Sequence, residues 1–346
     1  MPDLAVATVV AKNYLSYARV LAQSWLRHHP DIPLFVLLSD EVDGYFDPAL
    51  ESFRLLRLAD LEIPDLDRVR FRCDRKQVAV TSKPYLLNHL LDQGFGSVIF
   101  LDPDILVLSD LAGLFSQVSR RAVVLMPHLL APLSGEGSVE RELNILQSGV
   151  YNGGFVGISA GRTARAFLTW WRDRVSAHCR HDIPQGVYYD QRWLDLAPVF
   201  FEGLYVLRDP SYNVAHWNLP ERAISVGETS TTVDGQPCRF FHFSGFDPDN
   251  PLAVTRHSPR LNLSNVGPAA ELFRRYRSLL EVAGYHQTKT WPYAYGFFDN
   301  GVPVSDAARR AYSELGAAAG RFGNPFETAA PDSFFRWWSR PRARRR

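Results

Sequence analysis

Long apolar runs and cysteines are both scarce in this sequence of 346 residues. No stretch approaches the roughly 20 apolar residues that a membrane-spanning helix needs. The three cysteines, Cys73, Cys179 and Cys238, are widely spaced and fit neither a disulfide framework nor a zinc-ligand pattern. The first residues lack the basic and apolar regions of a signal peptide. We therefore expect a protein of the cytoplasm.

A strong charge of one sign is also missing, because the formal net charge is +1. Together with the absence of a nucleic-acid-binding motif, this argues against a nucleic-acid partner. The charge is uneven, however, since residues 332–346 combine many arginines with aromatic side chains. Such a combination is typical of segments that contact membrane surfaces. We expect a peripheral contact with the inner face of a membrane, with a solubilising tail as the alternative.

Apolar residues make up 46% of the chain, enough for a large core. Residues 4–11 and 34–38 are continuous apolar runs that predict buried parallel strands, and the 3.6-residue spacing in 14–29 predicts a helix between them. This strand–helix–strand opening is typical of an α/β fold with a mainly parallel sheet flanked by helices. Further strands are predicted at 98–101, 122–126, 155–158, 199–201, 205–207 and 239–243.

Helices are harder to delimit than strands in this chain. Pro84 predicts a helix N-terminus that continues to Leu91, and residues 162–178 predict a long helix. Residues 190–196 predict a short helical turn, and small residues predict a mobile loop at 131–140. We expect a catalytic domain at 1–263, a helical extension at 264–330 with a helix at 271–283, and a basic aromatic tail at 331–346.

Two carboxylates follow a predicted buried strand directly, in the segment FLDPDILVL at 100–108. Ligands of open parallel sheets bind beyond the carboxyl ends of the strands, where Asp102 and Asp104 are expected. Two neighbouring carboxylates at the edge of an apolar core are costly unless a cation compensates them. Oxygen ligands favour Mg²⁺ or Mn²⁺. The alternative is that both residues are ordinary turn residues.

Six motifs carry a resemblance to a known family. They are ATVVAKNYLSYARVLAQSW (7–25), SKPYLL (82–87), FLDPDILVL (100–108), YNGGFVGIS (151–159), YYDQRWLDL (188–196) and FHFSGFDP (241–248). With them, residues 4–250 resemble the retaining glycosyltransferases of the type-A fold, the family of glycogenin and of bacterial lipopolysaccharide galactosyl- and glucosyltransferases. The resemblance implies a Rossmann-like, mixed and mainly parallel sheet flanked by helices, with a C-terminal helical extension.

The resemblance also implies roles for individual residues. Asp102, Asp104 and His242 match the metal ligands, and an imidazole beside carboxylates favours Mn²⁺ over Mg²⁺. The alternative for His242 is a core histidine among phenylalanines. Asp190 and Gln191 match the catalytic pair. The positions that match the donor site are Ala7, Thr8, Tyr14, Lys83, Asp102, Asp104, Asn152, Gly153, Gly154 and Gly245.

The implied reaction moves a hexose from a nucleotide-diphosphate sugar, with a UDP-sugar as first choice, to a hydroxyl of a glycan or lipid-linked acceptor. Because Gln191 is a poor nucleophile, retention by attack on the leaving-group face is favoured. Inversion with Asp190 or Asp247 as base is the competing prediction. The chain departs from the family at Arg192, where an aspartate is frequent, and at Phe246, which begins the stretch that lacks the usual diphosphate-binding lysine.

Two functions of other classes stay open. A nucleotidyltransferase or hydrolase on the same scaffold usually carries a glycine-rich phosphate loop after the first strand, and residues 12–14 contain no glycine. A non-catalytic protein that binds nucleotide-sugars is the second alternative. The polar and aromatic segment 212–218 is expected near the acceptor side of the cleft.

Overall fold

The computed structural model of the chain describes residues 3–250 and 252–340. Its strands are β1 Leu4–Val10, β2 Leu34–Leu38, β3 Arg54–Arg57, β4 Ser97–Leu101, β5 Ile105–Val107, β6 Val123–Leu125, β7 Phe155–Ser159, β8 His181–Asp182, β9 Val187–Tyr188, β10 Leu204–Val206, β11 Val214–Ala215, β12 Ile224–Val226, β13 Thr231–Val233, β14 Gln236–Pro237 and β15 Phe240–His242. Its α-helices are α1 Leu15–His28, α2 Leu66–Arg72, α3 Arg75–Asp92, α4 Ala112–Val118, α5 Ser138–Ser148, α6 Arg162–His178, α7 Ala197–Phe200, α8 Ala269–Val282, α9 Tyr285–Thr288, α10 Asp306–Glu314 and α11 Phe334–Ser339.

A seven-stranded sheet in the order β10-β6-β7-β4-β1-β2-β3 forms the centre. Strand β1 pairs in parallel with β2 and β4, whereas β7 runs antiparallel to both β4 and β6. Side chains of β1 alternate between two apolar layers, with Ala5 and Val9 in one and Val6 and Val10 in the other. Burial of both faces explains the continuous apolar runs. The expected mixed, mainly parallel sheet flanked by helices is therefore confirmed.

A small second sheet, in the order β11-β15-β5, brings together residues that are distant in the sequence. Strand β5 follows the Asp102–Asp104 turn and pairs antiparallel with β15, with Ile105 opposite His242. The backbone N–H of Phe243 donates to the carbonyl oxygen of Asp104 at 2.8 Å. The register of this sheet thus sets His242 beside the two aspartates.

The predicted start of the helix at Pro84 is wrong, because α3 begins at Arg75 and contains Pro84 in its interior. A capping box starts the helix: Asp74 accepts from the backbone of Gln77, whose side chain accepts from the backbone of Asp74. Lys83 therefore lies in the middle of the helix rather than in its first turn. The predicted strand at 199–201 is wrong, because Phe200 ends the helix α7, and the loop predicted at 131–140 is shorter than expected, because α5 begins at Ser138.

The C-terminal helices pack onto the preceding part of the chain. Helix α8 covers Phe243, whose ring stacks on Tyr276 at 3.8 Å between centroids. Phe334, the first residue of α11, is fully buried against Phe71. The expectation of a free aromatic tail is thus corrected for Phe334, while 341–346 lie outside the described residues. Within 3–250 and 252–340, no helix is both long and apolar enough to span a bilayer.

Candidate functional site

A cleft of about 860 Å³ opens at the edge of the sheet where β1 and β4 end. Strand β6 ends at the same edge and antiparallel β7 begins there, so residues after β6 and before β7 also reach the cleft. Residues that line it include Val9, Val10, Ala11, Asn13, Tyr14, Lys76, Lys83, Asp102, Asp104, His128, Asn152, Gly153, Gly154, Asp190, Gln191, His216, Trp217, His242, Gly245, Arg256 and His257.

Asp102, Asp104 and His242 form a compact group on the floor of this cleft. One ligand atom from each lies within 4.8 Å of the others, and His242 Nε2 is 3.0 Å from Asp104 Oδ1 and 3.9 Å from Asp102 Oδ2. His242 Nδ1 lies 3.3 Å from Asn213 Oδ1, which directs Nε2 toward the carboxylates. Apart from each other, Asp104 Oδ1 and His242 Nε2 have no hydrogen-bond partner among the described residues. This donor set fits a divalent cation.

The electrostatics of the group agree with that fit. Burial opposes protonation of His242, but Asp104 and Asp102 together outweigh it and raise the pKa of His242 above its ordinary value. Burial opposes ionisation of Asp104 as well, yet the nearby His242 lowers the pKa of that carboxyl. Gly154 makes room for both ligands, because a Cβ there would lie 2.5 Å from His242 Cε1 and 2.8 Å from Asp102 Oδ2.

Lys83 reaches this group from the middle of α3. Its Nζ lies 3.2 Å from Asp102 Oδ1 and 3.0 Å from Asp190 Oδ2, and it donates to the carbonyl oxygen of Gly153 at 2.9 Å. Burial disfavours the ammonium, but Asp102 and Asp190 outweigh this and raise the pKa of Lys83. One buried cation thus holds two carboxylates from different parts of the chain.

Gln191 is fixed by the backbone on both sides of its amide. The N–H of Gly153 donates to Gln191 Oε1 at 3.0 Å, and Gln191 Nε2 donates to the carbonyl oxygen of Ser148 at 3.0 Å. Asn152 Nδ2 lies 3.4 Å from the same Oε1. Burial raises the pKa of neighbouring Asp190, against the effect of Lys83.

Two residues expected at the donor site lie elsewhere. Ala7 and Thr8 are fully buried in the middle of β1, where Ala7 pairs with Phe35 and Phe100. Because β1 continues to Val10, the cleft is lined by residues 9–11 and Asn13 instead, and we correct the donor-site expectation accordingly.

The two remaining donor-site positions do line the cleft. Tyr14 stacks on Tyr17 at 4.6 Å between ring centroids. Gly245 has a left-handed backbone with φ of 70°, and a Cβ there would lie 2.5 Å from His257 Cδ2. The structure therefore brings together every expected site residue except Ala7 and Thr8.

Sequence reasoning missed His128 as a site component, whereas Trp217 belongs to the segment 212–218 that is expected near the cleft and does line it. His128 Nε2 lies 3.2 Å from Asn152 Nδ2, and the Trp217 ring stands edge-on to both His128 and His242, at 4.9 and 5.2 Å between centroids. The available signal was position: His128 closely follows a predicted strand, as Asp102 does.

No protein-family model matches the chain. Two similar proteins come from Bacillus subtilis (strain 168). The uncharacterized protein YfnF is 27% identical over 249 residues, which cover 70% of this chain and 81% of YfnF. The uncharacterized protein YfnD is 26% identical over 255 residues, covering 71% and 79%.

Solved structures with a similar fold include the galactosyltransferase LgtC in complex with donor and acceptor sugar analogues, at 18% identity, 80% and 95% coverage, and a TM-score of 0.43. Apo GlyE from Streptococcus pneumoniae TIGR4 has 15% identity, 85% and 66% coverage, and a TM-score of 0.47. Mouse xyloside xylosyltransferase 1 has 13% identity, 69% and 97% coverage, and a TM-score of 0.42. All three are glycosyltransferases. At these identities and TM-scores, the function of this chain has to be inferred from its own site.

Proposed function

We propose that the chain is a metal-dependent glycosyltransferase. It moves a hexose from a nucleotide-diphosphate sugar, a UDP-sugar first of all, to a hydroxyl of a glycan or lipid-linked acceptor. The observation that carries the proposal is the group Asp102, Asp104 and His242, whose ligand atoms lie within 4.8 Å of one another on the floor of a large cleft. Lys83 adds a buried positive charge beside it.

Asp102, Asp104 and His242 would hold Mn²⁺ or Mg²⁺ in this function. When bound there, the cation supplies positive charge to the diphosphate that leaves the sugar. Lys83 keeps Asp102 and Asp190 in place through ion pairs of 3.2 and 3.0 Å, so these carboxylates need not reorganise as charge develops. Gly154 leaves the space that the side chains of His242 and Asp102 occupy, so both ligands can face the cleft.

Retention fits the surroundings of the candidate catalytic pair. Gln191 Oε1 already accepts from Gly153 and faces Asn152, so it is poorly suited to bond covalently to the sugar. In the favoured route the acceptor oxygen bonds to C1 as the C1–O bond to the diphosphate breaks, and an oxygen of the diphosphate takes the acceptor proton. Asp190 would bind sugar hydroxyls.

The two bases required for inversion are less suited to that role. Asp190 is held by Lys83 at 3.0 Å, which keeps its carboxylate in an ion pair. Asp247 is exposed and does not line the cleft. Inversion would therefore contradict the assignment of Gln191 and Asp190, and the anomeric configuration of the product, read by NMR, distinguishes the two routes.

The test is a screen of UDP-sugars with Mn²⁺ by thermal shift, followed by turnover. A specific donor that raises the melting temperature and is consumed supports the proposal, because a ligand of the folded state stabilises it by mass action. Binding without consumption, in the presence of a broad acceptor panel, favours a non-catalytic nucleotide-sugar-binding protein. Failure of every UDP-sugar to bind with Mn²⁺ contradicts the proposed donor class.

A lipid-linked acceptor would bring the enzyme to a membrane surface. The segment that we propose for this contact is the arginine-rich stretch 341–346, since Phe334 is occupied in the protein core. Deletion of 341–346 leaves Phe334 in place, so it tests the contact without removing a core residue. Flotation with phosphatidylglycerol vesicles that is independent of this deletion would contradict a membrane role for the segment.

A further inference from the structure

We propose that His128 is a positioning residue, a neutral imidazole with its proton on Nδ1 that orients Asn152 and, through it, Gln191 and the Gly153–Gly154 turn. The orientation of the imidazole is a property of the folded protein alone. Its kinetic consequence rests on the proposed glycosyl transfer.

The direction of every hydrogen bond in this chain of groups is set by the backbone. The carbonyl oxygen of Val150 can only accept, so His128 Nδ1, 3.1 Å away, carries the proton. The N–H of Gly154 can only donate, so the atom of Asn152 that it contacts at 3.2 Å is Oδ1. Asn152 therefore presents Nδ2 to His128 Nε2 at 3.2 Å, and Nε2 must accept. An imidazolium, which has no acceptor nitrogen, would break this contact.

The environment of His128 favours the neutral form. The residue is 4% exposed, and the ring of Trp217 stands against it. Burial lowers the pKa of His128 to about 4, and the backbone carbonyl of Val150 only partly opposes this. The position arises from the fold, because Pro127 and Tyr151 form an antiparallel bridge that sets the segment after β6 beside the segment before β7.

Asn152 connects His128 to the candidate reaction centre. Its Nδ2 also faces Gln191 Oε1 at 3.4 Å, and its Oδ1 holds the N–H of Gly154. The carbonyl oxygen of Gly154 in turn accepts from the backbone N–H of Asp102 at 2.8 Å, and the carbonyl oxygen of Gly153 accepts from Lys83. Loss of the acceptor on His128 would therefore free an amide that supports a metal ligand, a buried cation and Gln191.

The first experiment needs no substrate. Spectra of ¹⁵N-histidine-labelled protein report which ring nitrogen carries the proton, and the His128 signals are assigned as those missing in His128→Gln. We expect the Nδ1-protonated, neutral tautomer at pH 7. A signal from the Nε2-protonated tautomer or from an imidazolium would overturn the proposal.

The second experiment measures kcat and KM with the UDP-sugar identified by the donor screen. We expect His128→Leu to lower kcat about tenfold with little change in the KM of the donor, the size of one lost buried hydrogen bond. His128→Gln offers Asn152 an acceptor again and is expected to restore most of kcat. His29→Leu is the matched control, because His29 is similarly buried, accepts from the backbone of Leu111 and does not line the cleft.

An equal loss of kcat in His29→Leu, or no restoration by His128→Gln, would show a merely structural role and overturn the proposal. If the wild-type protein consumes no UDP-sugar, the proposed function fails, and the tautomer measurement still decides the orientation of His128. The two failures are thus distinguishable.

Discussion

Two buried lysines, Lys12 and Lys83, each lie between two aspartates. The two sites differ in the other hydrogen bonds that their side chains make. Lys12 contacts Asp40 and Asp43, and Asp40 also accepts backbone N–H groups of Lys12, Glu41 and Ala294 at 3.3, 2.9 and 2.9 Å.

Lys83 contacts Asp102 and Asp190 at the cleft, beside Asp104 Oδ1 and His242 Nε2, which lie 3.0 Å from each other and have no other hydrogen-bond partner among the described residues. Buried polar groups are nearly always fully satisfied, so a buried cluster whose charged atoms contact mainly one another needs an explanation. The same residue types are structural where the backbone satisfies them and point to a ligand where it does not.

The largest difference between the two sites is expected when a candidate metal ligand is removed from the cleft. We expect Asp104→Ala to lower turnover of the UDP-sugar with Mn²⁺ by about 10³-fold, because metal stabilisation of charge contributes several kcal/mol. Asp43→Asn at the Lys12 site is the control and is expected to keep near-normal turnover. Turnover of Asp104→Ala within tenfold of the wild type would mean that this group does not hold the metal.

Replacement of each lysine by methionine compares how much the two lysines contribute to the free energy of unfolding. Lys12→Met leaves the buried carboxylate of Asp40 without its cation and is expected to lower the free energy of unfolding by about 3 kcal/mol, whether or not Mn²⁺ is present. For Lys83→Met we expect a loss that Mn²⁺ partly reverses, because the ion supplies positive charge to Asp102. Urea denaturation with EDTA or Mn²⁺ measures both. Equal Mn²⁺ responses in the two variants would contradict the distinction.

The stability of the metal-free protein should also depend on pH, because His242 titrates. Its pKa is raised above the ordinary 6.5 because Asp104 and Asp102 outweigh burial. The stabilisation is therefore complete below pH 6.5 and is lost as the pH rises through the raised pKa. As the pH rises from 6.5 through the raised pKa, the melting temperature in EDTA should fall in the wild type and should fall less in His242→Asn. An identical pH dependence in the two proteins would contradict this origin.

How much of the site the sequence predicts depends on how local its signals are. Asp102 and Asp104 are identified correctly as cleft residues because a strand end and its turn lie within one short segment. Ala7 and Thr8 are misplaced because the motif resemblance assigns them to the donor site, although the predicted strand 4–11 already contains both in its middle. The position of Lys83 in its helix is predicted wrongly because Pro84 indicates a helix start, whereas the capping box of Asp74 and Gln77 begins the helix earlier.

Residues that reach the cleft through tertiary pairing are the hardest to predict. His128 enters it through the bridge between Pro127 and Tyr151, which joins segments more than twenty residues apart and has no local pattern. The partners of Lys12 lie on the turn after β2 and are equally invisible in the sequence around Lys12. Motif recognition therefore finds ligands, whereas their supporting contacts require the fold.

An exposed lysine–aspartate pair is expected to contribute least to the free energy of unfolding. Lys289 Nζ lies 2.6 Å from Asp249 Oδ1, but the side chains are 34% and 48% exposed. Solvent screens such pairs, so we expect Lys289→Ala to lower the free energy of unfolding by less than about 1 kcal/mol, and by still less in high salt. Urea denaturation at low and high salt measures this. A loss as large as that of Lys12→Met would mean that short distance, rather than burial and satisfaction by the backbone, decides what these pairs contribute.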